Sequence, residues 1–377
     1  MRPRPWPLSH KYFPIVVCAS LVYAWAMAKI LYGVHGTLHG HAMRALTIAR
    51  HFTEHEFLFV THDRGTAVLQ PEYPVVEIPG PLTIYKNHRV ATLPTVLHTL
   101  CQLLTQRTRL RQVRKLIEDF RTDIALSDYD YLVARASQQV GLPCLSVDHQ
   151  HIITFCRHQL PWRHRLPYWQ LALVINRLFS QASHYLVISF FRPPLKPGVR
   201  ARLAPPLLRE SVLTRKPSEG DHVLVYQSIS PFPGFFDFLN KLPHPVVVYG
   251  FHQERRDGNL TFKENSEDGF LDDLASCRYV ICAGSHTLTS EALYYGKPVL
   301  SMPFQGAFEQ VLNMLYLERL KYGQGLTSFP PARDFMTGFE SHLDEYRYAI
   351  SGGEFLGNHQ VYAAVGEFIQ EKGLVSW

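Results

Sequence analysis

The chain has 377 residues, 46% of them hydrophobic, enough for two buried cores and too apolar for a disordered or fibrous protein. Its net charge of +6 is too diffuse to point to nucleic acid, but it suits phosphorylated substrates or an anionic membrane surface.

Residues 1–26 carry basic residues, an apolar run from Tyr12 to Ala26 and an Ala-x-Ala at Ala24–Ala26. They read as a mis-assigned start with Met27 as the true one, as a membrane anchor, or as a cleaved signal, in that order. From Lys29 the pattern is strand, glycine loop, helix. The loop Gly33–His41 holds three glycines, Gly33, Gly36 and Gly40, and three histidines, His35, His39 and His41. Glycine lets backbone approach a ligand closely. His41 sits where the helix Ala42–His51 begins, a position that favours the neutral imidazole able to act as a base. A solvated glycine turn is the plainer reading of the same loop.

Phe57–Thr61 is the next strand, Pro71–Pro81 is irregular, and Val96–Phe120 reads as one long helix. Its Arg107, Arg109, Arg111, Arg114 and Lys115 form a solvated basic face or contact membrane phosphates. The strands Asp123–Ser127 and Pro143–Val147 end in Asp128 and in Asp148-His149-Gln150-His151. Both tips belong on the carboxyl edge of a parallel sheet, where ligands bind. The histidines are polar filler, groups that orient His41 or an acceptor hydroxyl, or, with His35, His39 and His41, a metal cluster. Trp162–Phe179 mixes Arg, Trp and Tyr with an apolar face, suited to a membrane interface or to packing on its own sheet. Ser183–Ser189 is a strand, and the proline-rich Arg192–Pro206 is an interdomain linker.

His222–Tyr226 opens a second domain, and Ser228 at its tip is a candidate phosphate contact. Pro245–Tyr249 and Leu260–Phe262 follow as strands. Tyr279–Tyr316 is a βαβ unit: strand Tyr279–Cys282, turn Ala283-Gly284-Ser285, helix Thr287–Tyr295, strand Val299–Pro303 and a second helix. A helix opening on Gly284, Ser285, His286 and Thr287 offers unpaired N–H groups and the positive end of its dipole to a diphosphate. Glu291 lies one turn further on, where a carboxylate can accept two ribose hydroxyls. Gln305, Glu309 and Gln310 follow the next strand, in reach of a sugar. From Gly338 to the end the pattern is helical. The six cysteines, Cys18, Cys101, Cys144, Cys156, Cys277 and Cys282, lack C-x-x-C spacing and read as reduced thiols of a cytosolic protein.

The stretch Gly284–Thr287, then Thr289-Ser290-Glu291, Pro303-Phe304-Gln305 and Glu309-Gln310 resembles the donor-binding motif of GT-B glycosyltransferases. It is similar to that of the N-acetylglucosaminyltransferases that complete the lipid-linked peptidoglycan precursor, and Gly36–His41 resembles that family's acceptor-facing first loop. Asp148–His151 resembles a loop of uncharacterised bacterial relatives. His286 and Thr287 depart from the family's small and apolar residues.

The resemblance implies two Rossmann-like α/β domains facing across a cleft. These are an acceptor-side domain over 27–195, a linker over 196–205 and a donor-side domain over 206–345. A helical segment over 346–377 commonly crosses back to the first domain. It implies transfer of a sugar from a nucleotide diphosphate sugar, UDP-linked by preference, to an acceptor hydroxyl. The acceptor is expected to be lipid-linked, in cell-envelope synthesis at the inner face of the membrane. In this reading His41 is the general base, helped by Asp148 or His149, and Gly36, Gly40, Asp128 and His151 line the acceptor loop. Ser228, Gly284, Ser285, His286 and Thr287 hold the diphosphate, Glu291 the ribose, and Gln305, Glu309 and Gln310 the sugar. With the helix terminus stabilising the leaving group and no Asp-x-Asp at a strand end, neither metal nor cofactor is expected. A nucleotide-sugar 2-epimerase, a histidine-based metal hydrolase and a non-catalytic nucleotide-sugar sensor stay open as alternatives.

Overall fold

The computed structural model describes residues 27–373 except Leu38, Ser228 and Ser230. The expectations for the first 26 residues and for Ser228 therefore lie outside the described residues.

Two seven-stranded sheets carry the structure. In the first half the elements run β1 (Lys29–Val34), α1 (His39–His51), β2 (Glu56–Thr61), α2 (Arg64–Leu69), β3 (Val75–Glu77), the hairpin β4 (Tyr85–Lys86) and β5 (Arg89–Val90), α3 (Thr92–Leu104), α4 (Gln106–Phe120), β6 (Ile124–Asp128), α5 (Tyr131–Val140), β7 (Cys144–Asp148), α6 (Ile152–Phe155), α7 (Trp162–Val174), β8 (His184–Ile188) and β9 (Ala201–Ala204). In the second half they are α8 (Glu210–Leu213), β10 (Val223–Tyr226), α9 (Phe235–Asn240), β11 (Val246–Tyr249), β12 (Arg255–Asp257), β13 (Leu260–Phe262), α10 (Glu267–Ser276), β14 (Tyr279–Cys282), α11 (His286–Tyr294), β15 (Val299–Ser301), α12 (Phe308–Arg319), β16 (Gly323–Gly325), α13 (Phe335–Ser341), α14 (Leu343–Ser351) and α15 (Asn358–Gln370).

The first sheet has the order β3-β2-β1-β6-β7-β8-β9 and the second β12-β13-β11-β10-β14-β15-β16. Only β12 runs antiparallel, against β13. Such sheets need helices on both faces, which is why β6 (IALSD) and β7 (CLSVD) are buried along their whole length. In each sheet the strand order reverses once, between β1 and β6 and between β10 and β14. The crossovers diverge there and leave a crevice at the carboxyl ends.

Two expectations change. The basic helix over 96–120 is broken at Thr105 (φ −91°, ψ 3°) into α3 and α4. Arg109 is the physical reason. Rather than facing water it is buried, donating to the carbonyls of Pro79 and Gln102 and to the Thr105 hydroxyl, which ties the helix start to the residue at the break. Residues 105–109 are all polar and read as part of a basic helix face, which hides the break in the sequence. Residues 201–204, expected in the linker, are β9, paired in parallel with β8. A four-residue edge strand between prolines carries too little pattern to be seen.

The connection between the halves is therefore short and is pinned by the last helix. Asn358 accepts from the Leu208 N–H (2.9 Å) and donates to the Leu208 carbonyl (2.7 Å), and the Gly357 N–H donates to the Pro206 carbonyl (2.7 Å). Beyond that point Val361, Val365, Phe368 and Ile369 of α15 join the core under β1, α1 and β2. The two chain crossings thus brace each other. Asn358→Ala leaves both polar groups of Leu208 without these partners and should cost about 1–3 kcal/mol, read as a lower denaturation midpoint in urea.

Candidate functional site

Register decides what meets at the first crevice. Val34 of β1 pairs with Asp128 of β6, so the glycine loop after β1 begins beside the Asp128 carboxylate. The loop then enters α1, whose His41 Nδ1 lies 2.7 Å from Asp128 Oδ1. Arg44, one turn along, forks onto the same carboxylate, Nε to Oδ2 and Nη2 to Oδ1, both at 2.6 Å. Asp128 is completely buried, and His41 and Arg44 nearly so. With Nδ1 turned to the carboxylate, His41 Nε2 faces Gln150 Nε2 at 3.5 Å, and Gln150 in turn donates to Glu309 of α12 (3.1 Å). His35 stands edge-on to both His41 and His62, with ring centroids 5.4 and 5.5 Å away.

This corrects the partner expected for His41. Asp128 takes that place, and Asp148 belongs to another pair. Asp148 accepts from Ser146 Oγ (2.5 Å), from the His151 ring (2.7 Å) and from the His151 N–H (3.0 Å). Burial alone would raise the Asp148 carboxyl, but His151 and these bonds hold it well below the usual carboxylate range. His151 is wholly buried, its far nitrogen 3.1 Å from Ser180 Oγ, so it shapes the sheet edge rather than an acceptor loop.

His149 spans the cleft instead of assisting His41. Its Nδ1 lies 3.0 Å from the Ile188 carbonyl, and its Nε2 lies 2.8 Å from Asn313 Oδ1 on α12 of the second domain. Asn313 Nδ2 donates to the Gly284 carbonyl (3.0 Å), and the His149 ring stacks on His286 at 4.1 Å. Burial pushes both imidazoles toward the neutral form, while the Ile188 carbonyl and Asn313 pull His149 the other way. Asn313 was not singled out in the sequence; its one signal is a polar residue a helical turn beyond Glu309 and Gln310.

The turn before α11 has the expected form. Gly284 is left-handed (φ +79°), and a β-carbon on it would lie 2.4 Å from Ser301 Oγ. Ser285 caps the helix without a side-chain bond, leaving first-turn N–H groups for a ligand. Buried His286 Nδ1, Thr289 Oγ1 and Ser301 Oγ have no hydrogen-bond partner around it. The first domain's glycine loop arrives at this point: a β-carbon on Gly40 would lie 2.6 Å from Thr287 Oγ1. Gly36 lies behind, its N–H on His62 Nε2 at 3.4 Å.

The residues expected on the donor side are engaged within the protein. Glu291 is buried and held by Arg209, Nε to Oε1 at 2.9 Å and Nη2 to Oε2 at 3.2 Å. Gln310 Oε1 accepts from the Phe304 N–H (2.9 Å), so it fixes the loop carrying Gln305. Gln305 is exposed, with its backbone paired to the β4–β5 hairpin of the first domain. Its N–H donates to the His88 carbonyl (3.1 Å), and its carbonyl accepts from the Val90 N–H (2.8 Å). The hairpin tip places Asn87 and His88 in the left-handed region (φ 49° and 57°), as a two-residue turn with matching twist requires. His88 lies between the rings of Phe232 (4.3 Å) and Phe304 (4.7 Å), 3.1 Å from Gln227 Nε2. A cavity of about 700 Å³ opens beside the tip, lined by Asn87, Arg89, Phe232 and Gln305. No sequence signal marked this hairpin.

Among the described residues no group of three or more His, Cys, Asp or Glu side chains is arranged to hold a metal ion, and no helix is long and apolar enough to cross a membrane.

Comparison with known proteins agrees with this geometry. A family model described as Glycosyl transferase family 1 matches residues 28–337. An uncharacterised glycosyltransferase of Methanosarcina mazei is 23% identical over 385 residues, covering 91% of this chain and 99% of the relative. In fold, the chain is similar to Phytolacca americana UGT2, solved with UDP-2-fluoro-glucose and pterostilbene (TM-score 0.62, 12% identity, 91% of this chain and 99% of that one). It is similar also to MurG of Acinetobacter baumannii (TM-score 0.56, 11% identity, 91% and 100%).

His88 gives a test of the interdomain packing. Burial pushes its imidazole down to about 4, with a bond to the Pro303 carbonyl working the other way. Between about pH 6.5 and 4 the unfolded chain binds this proton and the folded one resists, so stability falls as pH falls. The contribution should be about 1–3 kcal/mol across that window. His88→Asn, which keeps a residue at ease in the left-handed turn, should flatten that part of the stability–pH curve in urea titrations.

Proposed function

Because the chain belongs to glycosyl transferase family 1 and has the GT-B architecture, we propose that it moves a sugar from a nucleotide diphosphate sugar, UDP-linked by preference, to an acceptor hydroxyl. One observation carries the reading. The His41–Asp128 pair of the first domain and the free N-terminus of α11 in the second meet where Gly40 abuts Thr287. His41 Nε2 takes the proton of the acceptor hydroxyl while Asp128 holds Nδ1–H. The oxygen attacks the anomeric carbon, and that carbon's bond to the diphosphate breaks. The departing charge falls on the N–H groups at Ser285, His286 and Thr287, fixed donors aimed where the charge develops. Glu291 receives the ribose hydroxyls once Arg209 yields, and Glu309 and Gln305 lie on the sugar side. The helix terminus offsets the diphosphate, so the proposed reaction needs no divalent cation.

Two mutations separate these roles. Glu291→Ala should raise KM for the donor with little change in kcat, and His41→Ala should lower kcat by about 10²–10⁴-fold. Unchanged donor kinetics in Glu291→Ala would remove the ribose assignment. A screen of nucleotide sugars for a raised melting temperature identifies the donor to use.

The acceptor is proposed to be lipid-linked, as in cell-envelope glycan assembly at the inner membrane face. The support is an apolar surface on the first domain. Helix α3 has no buried residue, and Leu93, Val96, Leu97, Leu100 and Leu104 line one side of it, 47% to 84% exposed. Helix α7 does the same with Trp162, Leu166, Trp169 and Leu173, 57% to 83% exposed, with Arg163 and Arg165 exposed among them. Apolar stripes edged by cations suit an anionic bilayer. The protein should sediment with phosphatidylglycerol vesicles and much less with phosphatidylcholine. Replacing Trp162 and Trp169 together by Ser should weaken that binding at least about ten-fold; equal sedimentation of parent and variant would sink the assignment.

A further inference from the structure

His41 does not have its carboxylate to itself. Arg44 takes both oxygens of Asp128 at 2.6 Å, and its Nη2 also lies 3.1 Å from His41 Nδ1. With the Nδ1 proton directed to Asp128, that nitrogen has no lone pair to offer, so Arg44 and His41 stand as two donors before one acceptor. All three side chains are at least nine-tenths buried, where charges are screened little. Burial disfavours the Arg44 cation, and Asp128 more than offsets that and keeps it charged. One negative charge thus serves a permanent cation and, whenever His41 takes a proton, a second cation at contact distance.

The other groups facing His41 do not replace Arg44 in this role. His35 after β1 and His62 beyond it are pushed toward the neutral form by burial, as are His149 and His286 across the cleft. Tyr129, whose ring lies parallel to that of His41 at 6.1 Å, is held neutral by burial. Glu309 reaches His41 only through Gln150, and Asp148 is paired with His151. Arg44 is therefore the cation in contact with the pair, and it comes from the same turn of α1 as His41.

We propose that Arg44 is a positioning residue of this site: by forking onto Asp128 it divides the carboxylate between two donors, so that only part of that charge is left to draw a proton onto His41. The inference rests on His41 acting as the base. Without Arg44 the whole Asp128 charge would attract a proton to His41, and the site would need more alkaline conditions to start a cycle.

The test follows the His41 ring resonances with pH by NMR in the parent, Arg44→Gln and Arg44→Lys, the His41 signals being those lost in His41→Gln. In Arg44→Gln the transition should move up by about one pH unit, a tenfold change in proton affinity. Arg44→Lys keeps the charge and should restore most of the parent curve. The acid limb of kcat/KM should move with it. Should Arg44→Gln fail to fold for want of a partner for Asp128, the comparison passes to Asp128→Asn with and without Arg44→Gln. There the protein retaining Arg44 should show the transition at lower pH. Coincident curves in folded proteins overturn the assignment to Arg44, whatever the turnover. A shifted curve in a protein that glycosylates no acceptor overturns the transferase reading and leaves the role of Arg44 standing.

Discussion

The amide of Asn313 registers the two halves of the molecule. Its nitrogen donates to the carbonyl of Gly284, in the turn that launches α11, and its oxygen faces the ring of His149 from the other domain. Both atoms are buried, so an error in the approach of the domains would strand a donor or an acceptor out of reach of solvent. The stacking of His149 on His286 and the contact of Gly40 with Thr287 hold only at that same approach. Around this point the shared core is apolar and permissive, for example where Phe191 stacks on Tyr316 at 3.9 Å. Apolar burial gives the interface its strength, and its directional bonds, those of this amide among them, give it its register.

The cleft is costly by the usual rules. Two buried ion pairs, Arg44 with Asp128 and Arg209 with Glu291, lie on its opposite sides, and desolvation of such pairs commonly cancels much of their attraction. Unpartnered oxygens and a ring nitrogen gather at the start of α11. Polar groups are seldom buried unpaired unless they serve something. Stability is regained at a distance, in the wholly buried strands and in the clasp of α15 on the connecting segment. That division sets rigid cores on either side of a polar seam.

How far the sequence revealed this depended on the range of each interaction. The glycine loop, the α11 turn and most strands were legible, because each is set by residues next to one another: apolar runs, Gly284, Ser285, Gly36 and Gly40. Asp128 was placed at the right edge but not in its role, since its pairing with His41 depends on the β1–β6 register across 87 residues. Asp148 looked equivalent from sequence and was separated from it by one neighbour, His151. Arg209 carried no local signal and Asn313 only its spacing from Glu309 and Gln310, as each acts on a partner in a distant element. The β4–β5 hairpin lacked the glycine that normally announces such a turn, and the break at Thr105 opened a polar stretch that read as a basic helix face.

That hairpin has a consequence for how the protein can diverge. Its tip supplies the first-domain strand that pairs with Gln305, so that loop of the second domain is completed by the first. The two domains are then not interchangeable modules. A chimaera taking its second domain from a relative would also need that relative's hairpin, or Phe232, Phe304 and Gln305 would lose the wedge formed by His88. Changes along this seam must be inherited as one unit, though the hairpin and Gln305 lie more than two hundred positions apart in the chain.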